Sequence, residues 1–448
     1  MSRVLVVSHD VVGERMAGPA IRAVELSRVL AGCHDVTLAV PNDCSLDTGL
    51  RSVRYRPSEL ESLAVGQDVV LVGGLTLALC PALADTGVPL VVDIYDPFTL
   101  ENLQLFSGRE MPTRLQDSEG LLNALLLQLR RGDFYLCASE KQRDFWLGML
   151  HAAGRLNPYT YDHDRSLRKL VDVVPFGVPE EAPVAREPAL KGRHPGIGSD
   201  DLVVLWGGGI YDWFDPLTAI RAVSLASERE PRLKLFFMGV RHPNPAVHRM
   251  GMVDEAVRLA HSLGLTDKSV FFNDWVPYAR RADYLLDADI GISLHLDHLE
   301  TAYSFRTRIL DYLWAGLPIV ATSGDSLATA IEQRGMGIVV PPEDPQSVAE
   351  ALLQMVDARA RQEMGGRARE MALKLTWRRC AEPLLAFCDR PAVAADRRVG
   401  YSPGRTGPDD RRDAGFGPVR KVWASLRQGG PAQLVRDIRA YISWRLGR

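Results

Sequence analysis

Short β-branched runs alternate with amphipathic stretches from the first residues onward. Strand-like runs fall at 4–9 (VLVVSH), 35–41 (DVTLAVP), 68–74, 89–96, 133–139 and 171–177, with helical stretches between several of them, notably 19–31, 119–131 and 140–150. Runs that are apolar throughout, separated by helices, are what a parallel sheet covered on both faces requires. Beyond Pro175 the pattern breaks, and 179–200 is rich in Pro, Gly and charge with no sustained apolar period. It restarts with LVVLWGGG (202–209), and further strand-like runs at 233–239, 269–274, 289–296, 317–322 and 337–342 again alternate with helical stretches. The pattern predicts an α/β chain of two units, 1–178 and 201–375, joined by an interdomain linker at 179–200.

The remainder reads differently. Residues 391–415 carry many Arg, Asp, Gly and Pro and are expected to form a flexible linker. The basic segment 416–448 can gather Leu434, Ile438, Tyr441 and Ile442 on one helical face, with Arg436, Arg439 and Arg445 mostly elsewhere. Either an interfacial membrane helix or a terminal helix packed on its own protein has this spelling.

Composition narrows the function. The chain has 448 residues with 53 Lys+Arg against 56 Asp+Glu, a net charge of −3, which gives no global attraction to nucleic acid. Six scattered cysteines form no C-x-x-C pair, which argues against a zinc ribbon or disulfide scaffold and suits a reducing cytoplasm. The opening MSRVLVVSHD is too short in apolar residues for a signal core. The longest apolar tract, 69–83, is broken by Gly73, Gly74 and Pro81 and falls short of the roughly 20 residues that span a bilayer. A cytoplasmic location, with peripheral contact at the inner face of the membrane through 416–448, is the expectation.

Two strand–glycine–helix junctions carry the first chemistry. Gly18-Pro19 opens a helix after the first strand, and Gly207-Gly208-Gly209 is followed by Asp215-Pro216 at a second helix start. Glycines let a ligand approach the backbone, and a helix N-terminus presents unpaired N–H groups, so both junctions suit phosphate; tight turns share the spelling. The segment HLDHLETAYSFRTRILD (295–311) holds the densest polar cluster. Arg306 and Arg308 can bind phosphate oxygens, and Asp311, one helical turn after Arg308, can accept from ribose hydroxyls; a surface Arg–Asp pair is the alternative. His295, Asp297, His298 and Glu300 follow no established metal-ligand spacing, and no metal site is expected.

The spelling AGLPIVATSGD (315–325) followed by GMGIVVPPEDPQSVAEALLQ (335–354) resembles the C-terminal half of retaining glycosyltransferases of family 4, glycosyl transferases group 1. RVLAGCHDVTLAVP (28–41) and VVPFGV (173–178) resemble that family's opening unit and interdomain turn. The similarity covers about 1–388. It implies the GT-B fold, two Rossmann-like parallel-sheet domains facing a central cleft, here with a C-terminal helical tail. Residues 376–390 would then form a crossover helix returning to the first domain.

By position, Asp311 matches the second acid of the family's E-x7-E motif, and Gly208 and Gly209 match the loop at the donor phosphates. Asn273, Trp275 and Val276 fall where the nucleotide base is usually met, and Gly18, with Pro19, matches the first-domain loop bordering acceptor and phosphate. Tyr303 stands where the first acid of the motif belongs, and GGIYDWFDP lacks the G-R…K-G phosphate pair, so Arg306 and Arg308 are expected to supply that charge. Tyr95 occupies the place of the family's first-domain histidine, giving Tyr95, Asp96 and Arg308 as catalytic candidates, with Glu101 as an alternative to Asp96.

The implied function is transfer of a sugar from a nucleotide-sugar to a glycan, lipid-linked or small-molecule acceptor, with retention and with no metal or further cofactor. Cell-surface polysaccharide, glycolipid and secondary-metabolite glycosylation are all open. A nucleotide-sugar 2-epimerase of similar fold, and a non-catalytic nucleotide- or glycan-binding relative acting as a partner subunit, are the alternatives.

Overall fold

In the computed structural model, which describes residues 1–44, 46–247 and 250–401, two parallel sheets flank a cleft. The first contains β1 (Arg3–Val7), β2 (Asp35–Val40), β3 (Arg51–Arg54), β4 (Val69–Gly73), β5 (Leu90–Asp93), β6 (Phe134–Cys137) and β7 (Val171–Val173), ordered β3-β2-β1-β4-β5-β6-β7. The second contains β8 (Leu202–Gly209), β9 (Leu233–Gly239), β10 (Val270–Phe272), β11 (Ile290–Ser293), β12 (Ile319–Thr322) and β13 (Gly337–Val340), ordered β10-β9-β8-β11-β12-β13. Every ladder in both sheets is parallel.

Burial on both faces explains the uniformly apolar strands. Val4 and Val6 of β1 enter one core while Leu5 and Val7 enter the other. In β8, Val203 and Leu205 point one way and Val204 and Trp206 the other. In each sheet the strand order reverses beside the strand that starts the domain, at β1/β4 and at β8/β11. A doubly wound sheet opens a crevice beyond the strand ends at such a point. Both glycine junctions lie there.

Some segments differ from the expectation. The edge strand β3 has the sequence RSVR and is largely exposed, so it leaves no apolar signature. The helix expected at 119–131 starts at Met111, with Pro112 in its first turn. Strand β5 stops at Asp93, releasing Ile94 to Pro97 into a loop at the cleft.

The segment 179–200 is strapped to the second domain. Leu190 and Ile197 are buried, and the Asp287 carboxylate accepts from the backbone N–H groups of Ala189, Leu190 and Lys191 at 3.1, 2.6 and 2.9 Å. Its Pro- and Gly-rich spelling hides this because the capping carboxylate lies almost a hundred residues downstream. At 376–390 the chain crosses back: Thr376 bridges Val178, and Phe387 stacks on Phe134 at 4.9 Å.

The first part of the expected flexible linker is a correction. Residues 391–401 pack on the first domain through a short helix, Ala395–Arg398, whose Asp396 is buried against Arg155. The rest of that linker and the basic segment 416–448 lie outside the described residues. Among the described residues, no helix is long and apolar enough to cross a membrane.

Candidate functional site

The cleft between the domains has a cavity of about 520 Å³, within the size range of small-molecule sites. It is lined by Gly18, Pro19, Tyr95 and Asp96 from the first domain and by Gly208, Gly209, Trp275, Val276, Arg306, Arg308 and Asp311 from the second. Asn273, expected at the nucleotide base, does not line it. Its amide donates to the Met238 carbonyl at 3.0 Å and so fixes the turn that presents Trp275.

The two helix starts prove unequal. The helix Gly18–Ala31 has Ala17 at its N-cap and no side-chain cap, so its first N–H groups remain available at the cleft wall formed by Ala17, Gly18 and Pro19. The helix Pro216–Ser227 is capped by its own Asp215, whose carboxylate accepts from the Thr218 N–H at 2.9 Å. Neither Asp215 nor Pro216 lines the cleft. The expectation of two phosphate-ready helix starts therefore holds in geometry for the first only. In the second domain the glycine loop takes that place: Gly208 has φ +82° with open space where a side chain would stand, a conformation that favours glycine.

Arg308 is the strongest polar feature of the second domain. Its guanidinium is sandwiched between Trp206 at 4.5 Å and Phe214 at 4.1 Å, and one Nη donates to the Gly209 carbonyl at 3.0 Å. Its other Nη is buried without a partner. Burial lowers its pKa to about 10, which leaves it cationic at neutral pH. Arg306 differs: it forms a two-bond ion pair with Glu300 at 3.1 and 2.7 Å, both side chains being buried. The charge expected from two arginines thus falls chiefly to one, because Glu300 neutralises Arg306.

Asp311 pairs with Arg281 at 3.2 Å rather than with Arg308, because Arg308 turns toward the glycine loop. Arg281 is itself held between Tyr278 at 3.8 Å and Trp314 at 4.6 Å. Burial raises the Asp311 pKa while Arg281 opposes the shift. Aromatic rings complete this side: Tyr211 stacks on Trp213 at 5.0 Å, and His242 lies 5.7 Å from Trp275.

The first domain supplies acids. Asp96 and Glu101 hydrogen-bond to each other and face Glu300 and Arg306 across the cleft. Burial raises the Asp96 pKa to about 6, and Glu300 and Asp93 add to it against the opposing Glu101 bond and Arg306. Burial, then the charges of Asp96 and Glu300, put Glu101 well above the usual carboxylate range. Glu101 is therefore the protonated donor and Asp96 the acceptor. Tyr95 sits on Arg22 at 4.6 Å, and burial pushes its phenol well above the ordinary value. Such a phenol stays protonated, so Tyr95 can donate or accept a hydrogen bond but does not serve as a base near neutrality.

Several residues at the cleft carry no signal that sequence alone made plain. His9 follows β1 at the strand-order reversal and lines the cleft. Enclosure holds its imidazole below the ordinary range despite the pull of Asp10 and Asp93. Its place directly after an apolar strand was the available signal. Gln142 gave none: its amide donates to the Tyr95 carbonyl at 2.8 Å and across the cleft to the Tyr303 carbonyl at 2.7 Å. Asn244 similarly reaches Asp10 of the first domain at 2.7 Å. Domain closure makes both contacts, and no local pattern encodes them.

His295 and His298 also have structural partners: His295 lies 3.3 Å from Asp325, and His298 caps the helix Leu299–Tyr303. Among the described residues, no three His, Cys, Asp or Glu side chains are grouped to hold a metal ion.

Comparison with known proteins accords with this arrangement. Residues 202–358 match the family model of glycosyl transferases group 1. The D-inositol 3-phosphate glycosyltransferase of Acidothermus cellulolyticus is 28% identical over 264 residues, 56% of this chain and 58% of the relative. That of Kribbella flavida is 28% identical over 217 residues, 48% of this chain and 50% of the relative. The chain spans little more than half the length of these curated relatives.

Among solved structures, HepE from Anabaena in complex with UDP-glucose superposes with a TM-score of 0.61 at 14% identity, covering 86% of this chain and 100% of that one. Sucrose-phosphate synthase from Thermosynechococcus elongatus gives 0.60 at 16%, covering 86% and 97%. The group 1 resemblance and the GT-B fold expected from the sequence are both borne out.

Proposed function

We propose that this chain, whose second domain is of the group 1 glycosyltransferase type, moves a glycosyl group from a nucleotide-sugar to an acceptor hydroxyl. The observation that supports this most is the buried Arg308 Nη with no partner, beside the open Gly208 loop. A guanidinium that is not neutralised by a carboxylate suits the diphosphate of a donor. Trp275 and Val276 would meet the base, and the Asp311 carboxylate the ribose.

On this reading Arg308 and the glycine-loop amides stabilise the charge that develops on the leaving diphosphate. The bond from the sugar carbon to the phosphate oxygen breaks as the bond to the acceptor oxygen forms. The acceptor proton passes to the departing phosphate oxygen on the same face, which gives retention and requires no metal. Asp96 accepts a hydrogen bond from the acceptor and orients it. Tyr95, beside Gly18, walls the reacting centre. The UDP-glucose bound to HepE supports a nucleotide-sugar as the donor class.

The test is a thermal-shift and product screen of a nucleotide-sugar panel, with Asp311→Ala alongside. We expect one donor to stabilise the protein, loss of that stabilisation in the variant, and release of nucleoside diphosphate. An isomerised sugar product would assign the chain to the epimerases, and donor binding without turnover across an acceptor panel to the binding modules.

A pH dependence follows from Asp96. Its useful form is the carboxylate, so activity is present above a pKa of about 6 and lost as pH falls through it. The kcat/KM for the acceptor should drop roughly tenfold per pH unit on that limb. In Asp96→Asn the level should be lower and the limb absent; an unchanged limb assigns the titration to another group.

We further place peripheral membrane contact in the basic segment 416–448, on its sequence alone. Sedimentation with anionic vesicles should lose the protein when that segment is deleted, and unchanged sedimentation would reject the idea.

A further inference from the structure

A second cavity, of about 340 Å³, opens from the first domain and shares His9 and Asp96 with the cleft. Its walls include Tyr55, Leu60, Leu75, Leu79, Phe98 and Leu121. Neither Lys nor Arg lines it, and its only charge-bearing groups, His9 and Asp96, stand where it meets the cleft.

Several polar groups in its wall already have partners. The Tyr55 hydroxyl donates to the Ser8 carbonyl at 3.0 Å, Thr76 Oγ1 to the Gly73 carbonyl at 2.8 Å, and the Asn102 amide to the Phe98 carbonyl at 2.6 Å. The Gly74 carbonyl is taken by Gln128 at 2.7 Å. What remains for a ligand is more apolar than polar surface, without a lysine or arginine. The mouth is fixed as well: Gly74 has φ +54°, and a Cβ there would lie 2.6 Å from the His9 ring, so glycine is what lets His9 stand between the two cavities.

We infer that this cavity binds an apolar or aromatic group of a neutral acceptor, holding it so that the acceptor hydroxyl emerges between His9 and Asp96. The inference rests on the transferase reading and names the acceptor class for it. Three features converge on it: continuity with the cleft, walls more apolar than polar and lacking Lys or Arg, and the charge nearby. Asp10 and Asp96 face the acceptor side, and an anionic acceptor would meet their repulsion. The inositol 3-phosphate named for the sequence relatives carries a phosphate, for which this cavity offers no cation.

The experiment is calorimetric binding of 4-nitrophenyl glucoside, methyl glucoside and inositol 3-phosphate to the full chain. We expect the aryl glucoside to bind at least about tenfold tighter than the methyl one, as burial of an aromatic ring in an apolar pocket implies. Leu79→Glu, at a half-exposed wall position, should abolish that preference; Leu115→Glu, exposed on the helix Met111–Arg131 and outside the cavity, should keep it. Equal affinities, a preference for inositol 3-phosphate, or an aryl preference that survives Leu79→Glu in a folded protein would overturn the inference. Hydrolysis of the nucleotide-sugar without acceptor reports the transferase assignment separately, so failure of one reading is distinguishable from failure of the other.

Discussion

Replacing Arg308 by Met is expected to lower kcat/KM by about 10²–10³, the usual cost of removing one preorganised donor from a site of developing negative charge, or about 2.7–4 kcal/mol. Met keeps an apolar stem between Trp206 and Phe214 while deleting the charge and the bond to the Gly209 carbonyl. Lysine should rescue only part of the loss, because an ammonium reproduces neither the planar stacking nor the fork of donors. Donor affinity measured by calorimetry should fall with the rate, with circular dichroism unchanged. A variant within threefold of wild type would mean that the diphosphate is held elsewhere. Arg306 offers the contrast. Its removal strands the Glu300 carboxylate beside Asp96 and Glu101, which pushes their pKa values further up, so Arg306→Met should move the acid limb of the pH profile as well as its height.

These two arginines also mark what a sequence can and cannot convey. Their presence at the cleft was legible, because a basic pair just before an apolar helix and strand follows from the local spelling. Their division of labour was not. Glu300 reaches Arg306 through the turn between two short helices, and Arg308 reaches Gly209 from about a hundred residues away. Strands buried on both faces, such as β1 and β8, advertise themselves by composition; the exposed edge strand β3 has no such signal. The same limit hid Gln142, whose two acceptors belong to different domains. Periodicity reports which face an element buries, whereas a site assembled by domain closure depends on partners that no window along the chain contains.

The return of the C-terminal segment onto the first domain poses that problem in its strongest form, and it gives the largest stability prediction. Asp396 lies in RPAVAADRRVG (390–400), a stretch with the composition of a linker, yet its carboxylate pairs with Arg155 at 2.7 and 3.1 Å and accepts from Asn157 at 3.0 Å, all buried. Arg155 is tied further to the carbonyls of Leu129 and Gly132, so it cannot swing out to water. Asp396→Ala would leave that guanidinium buried and uncompensated. Breaking one side of a buried pair costs about 3–5 kcal/mol, and we expect that loss in denaturant unfolding of the first domain.

The double variant Arg155→Met/Asp396→Leu removes both charges at once and should recover much of the stability, since apolar replacement of a whole buried pair is often neutral or better. A single variant as stable as wild type would show that the segment 391–401 is not anchored through this pair. Arg397 gives an independent reading of the same anchor: it pairs with Asp133 at 2.5 Å, while Asp133 also accepts from the backbone N–H groups of Leu90 and Ala394. Because Leu90 begins β5, the strand that leads into Tyr95 and Asp96, loosening the anchor should reach the acceptor side of the cleft before the donor side. In Asp396→Ala below its unfolding transition, acceptor KM should therefore rise more than donor KM.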